Sequence, residues 1–458
     1  MRASFEADGG GGEIGGSAYR VKVPSALDRN GYKTILVDCG MRHIELIPEN
    51  YGVWGPNFAG MRACGEISAC IITHAHADHC ASAPILVRMF PNLHFYMTAA
   101  TWDLACLQWG ESIRRMSKFH DMERGTLFEG GAKPLFTEDD LLELKRRTHI
   151  IEMYGKVELG QDVSFRFIPA GHILGAISVL FSYVENGRQK IGFHTGDINH
   201  TPQLLVPGAP RKFKLANKKK IDWVSSESTY IGTPMEDREK ETLRFVMWVK
   251  NVLRRGGRVC IPAFKIQKAQ EVREILLKYG VAEEDIFVDG YADPVFSIYK
   301  KYTVITPLQK KQTVKDWSDR QELWEDKSPR VIIAFGGMIP KGSAAWHNMR
   351  LALEEKSDAL AIVGYQDPCS PGGLLLEHIA EGKGEIVFKE NEEPYRIDCE
   401  VAKFVLSAHD SGDDLEHTAG LAQERVIWTH GEARRINKHL EGKDSSQVLG
   451  ENGKEVEL

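Results

Sequence analysis

The stretch THAHADHC, residues 73–80, constrains this chain more than any other. His74, His76, Asp78 and His79 fall within six residues, although the 458-residue chain holds only 16 histidines. The apolar run ISACIIT (67–73) directly before them reads as a short buried strand. The cluster therefore sits on the loop at the strand's carboxyl end, where α/β proteins bind ligands. Pro84 is placed to occupy the first turn of a following helix. From an extended segment, His74 and His76 point the same way, and Asp78 and His79 reach a neighbouring point. One loop can thus supply two ligands to each of two metal ions about 3.5–4 Å apart, the spacing of two-metal hydrolases. The competing reading, a polar loop whose histidines cap a helix, does not explain why imidazoles concentrate there.

A binuclear site needs further ligands from later strand ends. PAGHILGAISVLF (169–181) places His172 between two glycines before an apolar run, and KIGFHTGDINH (190–200) places Asp197 after a strand-like IGFHT. His194 and His200 flank Asp197 and read as supporting or surface histidines. Asp38, in ILVDCG, reads equally as a hydrogen-bond partner of a ligand histidine and as a turn former before Gly40. Cys80 reads as a small packed thiol.

Composition bounds the rest. Hydrophobic content of 42% and charged content of 27% describe a soluble globular protein of two or three domains. No apolar stretch reaches the roughly 18 residues a membrane span needs. MRASFEADGG lacks the apolar segment of a secretory signal, so a cytoplasmic location is expected. The eight cysteines form no CxxC pair, which argues against a zinc ribbon or a disulfide framework. A formal charge of −6 excludes a wholly basic nucleic-acid binder but not a local basic face.

In the second half, DWVSSESTY (222–230) ends a strand at Glu227. Thr233-Pro234-Met235-Glu236 predicts a capped helix start, with Leu243, Val246, Met247 and Leu253 on one face. Strands and helices then alternate: RVCIPAF, KIQKAQEVREILLKYG, IFVDG, SPRVIIAFGG and LAIVGYQ. This alternation predicts a parallel or mixed sheet with helices on both faces, inserted into the first domain. KFVLSAHDSGDDL (403–415) then carries Ser407 and His409, and RVIWTHGEARRINKHL (425–440) carries His430.

The His-x-His-x-Asp-His pattern resembles the signature of the metallo-β-lactamase superfamily. Within it, the order Glu227, a domain-sized insertion, Ser-Ala-His409-Asp and His430-Gly-Glu resembles motifs A, B and C of the β-CASP nucleases. GGRVCIPAF and AFGGM also look like β-CASP segments, and the resemblance runs from GGEIGGSAYRV (11–21) to HGEARRI. It implies an α/β fold: an αββα sandwich from residues 1–230 and 405–458, with residues 231–404 as an inserted lid over an RNA cleft. A histidine in motif C is associated with RNA-directed members, kin to RNase J-type enzymes and the cleavage-and-polyadenylation endonuclease. RNase J-type enzymes carry a further C-terminal domain that this length does not accommodate.

The resemblance also implies roles. His74, His76 and His172 would hold one metal, Asp78, His79 and His430 the other, and Asp197 would bridge them. Nitrogen and oxygen donors without thiolate suit two Zn²⁺ per chain, with Mn²⁺ as an alternative. A hydroxide generated between the metals would attack a phosphodiester, leaving 5′-phosphate and 3′-hydroxyl ends. Asp78 would also orient the nucleophile, and His409, held protonated by Glu227, would be the general acid. Gly336, Gly337 and Ser407 are candidate substrate contacts, as is the loop from Gly364 to Gly373. RKFKLANKKK (211–220) reads equally as a phosphate-tracking segment and as a solvated loop. GGGGEIGG (9–16) lacks the Lys-Ser/Thr of a P-loop and reads as a tight connection near the metals. Trp109, Trp317, Trp324 and Trp346 read as core residues before stacking platforms. The expected partner is RNA, with no membrane; a homodimer or processing-complex partners also fit. The alternatives are a thioester-type small-molecule metallohydrolase, which leaves Glu227, His409 and the insertion idle, a β-CASP DNA nuclease, and an inactive scaffold, which would show gaps in the ligand set.

Overall fold

A computed structural model describes residues 2–26, 28–42, 55–122, 135–212, 220–388 and 393–458, with side chains left out of account at 116–122. The basic segment 213–219 lies outside the described residues. The chain is mixed α/β and divides into two compact units. The first comprises residues 1–202, 206–234 and 408–458, and the second comprises 203–205 and 235–407.

The first unit holds two seven-stranded sheets. In one, β1 (Ser4–Gly9), β2 (Ala18–Pro24) and β3 (Tyr32–Val37) run antiparallel, and β4 (Ala69–Ile71), β5 (Phe95–Met97) and β6 (Thr148–Ile150) continue from β3 in parallel. In the other, β7 (Lys156–Glu158), β8 (Val163–Pro169), β9 (Ile177–Glu185) and β10 (Arg188–His194) form an antiparallel meander. β11 (Ile221–Glu227) then pairs parallel with β10.

Alternation explains the core between these sheets. Strands with one buried face present every second residue to it, so Phe5, Val21, Ile35 and Ile71 meet Phe165, Phe167, Val179, Phe181 and Trp223 in one apolar cluster. Each such side chain contributes roughly 1.5–3 kcal/mol on burial. Trp109 is fully buried as well, its indole N–H donating to the Cys80 carbonyl at 2.9 Å.

The second unit contains a six-stranded, wholly parallel sheet in the order β14-β13-β15-β12-β16-β19. These are β12 (Val259–Ala263), β13 (Ile286–Asp289), β14 (Thr313–Val314), β15 (Val331–Phe335), β16 (Ala359–Ile362) and β19 (Glu400–Lys403), with a small antiparallel pair, β17 (Glu385–Ile386) and β18 (Tyr395–Arg396), outside it. Central strands such as β12 and β15 are buried on both faces, which is why VCIPA and VIIAF read as unbroken apolar runs. Trp324 and Trp346 are core residues here, while Trp317 is half exposed.

One sequence expectation is corrected. The helix after Glu227 spans Arg238–Arg254 and is capped by Asp237, whose carboxylate accepts the Lys240 N–H at 3.0 Å, so Thr233 is not its cap. Its buried face is Thr242, Phe245, Val246, Val249 and Val252; Leu243 and Met247 face solvent. The start lies four residues later than expected, and the buried positions follow the three- and four-residue spacing of one helix face. The chain continues past the helix Ala433–Leu440 into two further strands. β20 (Ala422–Thr429) is followed by β21 (Gln447–Leu449), which extends the second sheet of the first unit, and by β22 (Glu455–Glu457), which pairs with β1 in the other.

All eight cysteines are free thiols. Among the described residues, no helix is long and apolar enough to cross a membrane.

Candidate metal centre

Register brings the site together. β3 and β4 end side by side (Val37 opposite Ile71), which places Asp38 beside the loop that begins at Thr73. In the second sheet, β11 pairs parallel with β20, Glu227 opposite Thr429, although the whole second unit lies between them in sequence. Glu227, Asp197 after β10, His172 in the β8–β9 connection and His430 after β20 thus gather at one end of the sheet. Ligands bind at such carboxyl ends of strands.

Every predicted ligand enters one of two groups. His74, His76, His172 and Asp197 form the first, and Asp78, His79 and His430 the second. In the first, His76 Nδ1 lies 3.2 Å from His74 Nε2 and 3.0 Å from His172 Nε2. Asp197 Oδ2 is 3.5 Å from both of those Nε2 atoms. The other carboxylate oxygen, Oδ1, faces the second group, 3.3 Å from His79 Nε2 and 3.4 Å from His430 Nδ1. Asp78 Oδ2 is 3.2 Å from His430 Nε2 and 3.7 Å from His79 Nε2.

The outer ring nitrogens fix which lone pairs point inward. His172 Nδ1–H donates to the Ala408 carbonyl at 2.8 Å, and His79 Nδ1–H donates to Asp38 Oδ2 at 2.7 Å. Thr73 spends its hydroxyl proton on Asp38 at 2.7 Å, so His74 Nδ1–H donates to the Thr73 oxygen at 3.0 Å. In the neutral state that a metal ligand must adopt, each of these imidazoles has a bare Nε2. With His76 Nδ1 bare as well, three lone pairs and a carboxylate oxygen converge, an arrangement that a cation among them would stabilise. The spacing agrees with that. Donors about 2.0–2.1 Å from a tetrahedral centre lie about 3.3–3.4 Å from each other, against 3.0–3.5 Å here. His76 Nε2 and Asp197 Oδ1 are also buried without a hydrogen-bond partner. The residues present therefore fit a pair of divalent cations.

Burial and neighbours set the charges. Burial holds His74 and His172 well below the usual histidine range and pushes His76 down to about 4, so these imidazoles are neutral, as ligands must be. Burial opposes charge on His79 too, but the carboxylates of Asp197, Asp78 and Asp38 outweigh it and raise its pKa. Asp78 and Asp197 resist the upward push of burial because His79 and His430 lie beside them, and both stay ionised.

Glu227 and His409 form a third cluster with Asp197. His409 Nδ1–H donates to the Glu227 carboxylate at 2.9 and 3.0 Å, and its ring centroid lies 4.5 Å from that of His172. Burial would lower the His409 pKa; the Glu227 carboxylate overrides it and lifts it to about 9. Glu227 also accepts the Ile198 N–H at 2.9 Å.

Backbone strain marks the same place. Asp38 (φ 63°) and His430 (φ 46°) sit in the left-handed region without being glycine. The His430 N–H donates to the Gly10 carbonyl at 2.7 Å and that of Ala433 to Gly12 at 2.8 Å, so GGGGEIGG is a backbone brace behind His430. Gly40 is required sterically: a Cβ there would lie 1.7 Å from the Asp78 carbonyl oxygen.

The candidate substrate contacts Gly336, Gly337 and Ser407 belong to the second unit. Gly336 and Gly337 pack against their own unit, where added Cβ atoms would come within 2.6 Å of Ser343 Oγ and the Phe264 ring. Ser407 is half-buried, its carbonyl accepting from Arg238 at 2.5 Å. Sequence reasoning missed Thr229, whose hydroxyl lies 3.1 Å from His430 Nδ1, and the Ala408 carbonyl that orients His172. A main-chain acceptor carries no sequence signal. His194, read as a supporting histidine, is buried with Nδ1 3.2 Å from Ser225 Oγ.

No protein-family profile matches the chain. Transcription termination factor FttA of Pyrococcus horikoshii is 28% identical over 471 residues, covering 93% of this chain and 66% of that protein. The chain thus spans just under two thirds of that relative's length. Probable RNase MJ4 of Methanocaldococcus jannaschii is 26% identical, covering 92% of this chain and 91% of that protein. Cleavage and polyadenylation specificity factor subunit 3-II of Arabidopsis thaliana is 27% identical, covering 93% and 67%. These homologues, matched along nearly the whole of this chain, are β-CASP nucleases of the metallo-β-lactamase fold.

Proposed function

We propose that the chain is a metal-dependent ribonuclease that hydrolyses RNA phosphodiesters and leaves 5′-phosphate and 3′-hydroxyl ends. In this reading the two seven-stranded sheets and their helices are the αββα sandwich, and residues 231–404 are the β-CASP insertion. The observation that carries it is the His409–Glu227 hydrogen bond beside a cluster of convergent imidazole and carboxylate donors. Relatives named as an RNase and as a cleavage and polyadenylation factor subunit supply the RNA preference.

His74, His76, His172 and Asp197 would hold one cation, and Asp78, His79, His430 and Asp197 the other, with Zn²⁺ favoured by the all-nitrogen-and-oxygen donor set and Mn²⁺ the alternative. Bound there, divalent cations supply positive charge that acidifies a water and neutralises phosphoryl oxygens. The protein's own groups do the rest. Asp78 and Asp197, ionised at neutral pH, accept and orient the protons of the attacking water. His409 donates its Nε2 proton to the departing 3′ oxygen, and Glu227 keeps that imidazole charged and aimed. The Ala408 carbonyl and Asp38 hold His172 and His79 in the ligating tautomer.

The test is incubation of metal-loaded protein with matched RNA, DNA and thioester substrates. Cleavage of RNA is expected; thioester turnover without RNA cleavage sinks the proposal. His409→Ala is expected to slow RNA cleavage by roughly 10²–10⁴-fold while metal content, measured by elemental analysis, stays unchanged. Loss of one metal in that variant would make His409 a ligand instead.

A further inference from the structure

His200 and Asp410 take no part in the reaction just described, yet they form a buried ion-pair-like contact at its edge. Asp410 Oδ1 accepts the His200 backbone N–H at 2.7 Å, and Asp410 Oδ2 accepts His200 Nδ1–H at 2.6 Å. Both side chains are nearly inaccessible. Their position in the chain gives the contact its meaning. His200 lies three residues after Asp197 in the segment that follows β10, and Asp410 directly follows His409.

The two loops are stitched by two more bonds. The Asp410 N–H donates to the Ile198 carbonyl at 2.8 Å, and the Ile198 N–H donates to Glu227 Oε1 at 2.9 Å. Glu227 in turn receives His409 Nδ1–H. One closed network therefore runs Glu227, Ile198, Asp410, His409 and back to Glu227, and the His200 side chain locks its outer corner. The loop 408–410 also carries the Ala408 carbonyl that orients His172. A shift of this loop would misaim His409 first, because His409 belongs to the loop itself, whereas His172 lies on another segment and sits within a four-residue donor group. Misplacement of a reacting group by about 1 Å costs on the order of a hundredfold in rate.

We infer that His200 and Asp410 are a positioning pair for the general acid: the contact fixes the loop that aims His409 at the leaving oxygen. This rests on the ribonuclease reading and extends it to residues beyond the ligands and the acid. The contact is also built from side chains, so it is removable without touching a ligand.

The test uses the leaving group. In an RNA whose scissile linkage carries sulfur in place of the bridging 3′ oxygen, the thiolate departs without protonation, so general-acid aim no longer matters. His200→Ala is expected to slow cleavage of ordinary RNA by roughly tenfold to a hundredfold, with the sulfur-bridged RNA cut within about threefold of the wild-type rate. His200→Asn, which puts an amide N–H near the position of Nδ1, is expected to restore most of the ordinary rate. Metal content should not change. Equal slowing on both linkages, or slowing on neither, overturns the inference. If His200→Ala does not fold, Asp410→Asn is read on the same two substrates. A wild-type protein that cuts no RNA refutes the ribonuclease reading itself, before any variant is compared.

Discussion

Asp38 shows how much one buried side chain carries here. It sits at φ 63° and is fully inaccessible, and its two oxygens receive the Thr73 N–H, the Thr73 hydroxyl and His79 Nδ1–H, each at 2.7 Å. The left-handed backbone costs about 1–3 kcal/mol, and three charge-assisted bonds hold it there. Its consequence is the tautomer of His79, whose bare Nε2 faces Asp197. Asp38→Asn would set an amide N–H against His79 Nδ1–H and drive the proton to Nε2, blocking ligation. Metal affinity is expected to fall roughly 10–100-fold, measured by competition with a chromophoric chelator. Unchanged affinity would remove Asp38 from the metal-orienting role. The sequence placed Asp38 at a strand end but left its role open, because a turn-forming aspartate and a histidine-orienting aspartate occupy the same kind of position.

At the scale of elements, helix ends and strand register set the geometry. The helix Glu138–Arg146 begins at a capping box in which Asp140 Oδ2 accepts the Thr137 N–H at 2.7 Å, and Arg88 braces the same carboxylate, Nε to Oδ1 at 2.7 Å. Burial would raise the Asp140 pKa, but the Arg88 and Thr137 bonds outweigh it and lower it. A carboxyl whose folded pKa is depressed contributes stability above its unfolded value and loses it as pH falls through the folded one. Wild type is therefore expected to be more stable than Asp140→Asn near neutrality, with the gap closing in acid below the ordinary carboxylate range. Urea denaturation of both proteins across pH checks this; a gap that widens on acidification contradicts it. βα alternation in the second half was readable from apolar runs and glycine stops, but the helix at Arg238 starts one turn late because Asp237 outcompetes Thr233 as a cap.

At the scale of the whole chain, donors drawn from sequence-distant loops share one small volume. Without cations, that volume holds inward-facing lone pairs and two ionised carboxylates, Asp78 and Asp197, in close contact. Binding of a cation to the folded state alone stabilises it by RT ln(1 + [L]/Kd), about 2.7 kcal/mol at a hundredfold excess over Kd. Dialysis against a chelator is therefore expected to lower the melting midpoint and abolish RNA cleavage together. Zn²⁺ or Mn²⁺ should restore both. A melting midpoint indifferent to chelation would mean that the cluster holds no cation.

The sequence by itself determined which residues are candidate ligands. A histidine-rich loop after a buried strand, His172 between glycines and the late His409 and His430 motifs are local patterns, and residue type and spacing survive any arrangement of the fold. Tertiary structure alone decided which lone pairs point inward, that the two oxygens of Asp197 face different ligand groups, and that His200 meets Asp410. Those facts depend on strand register, on the pairing of β11 with β20 across the intervening unit, and on main-chain acceptors such as Ala408. Long-range pairing is paid for by burial of the whole apolar core, and no stretch of neighbouring residues encodes it.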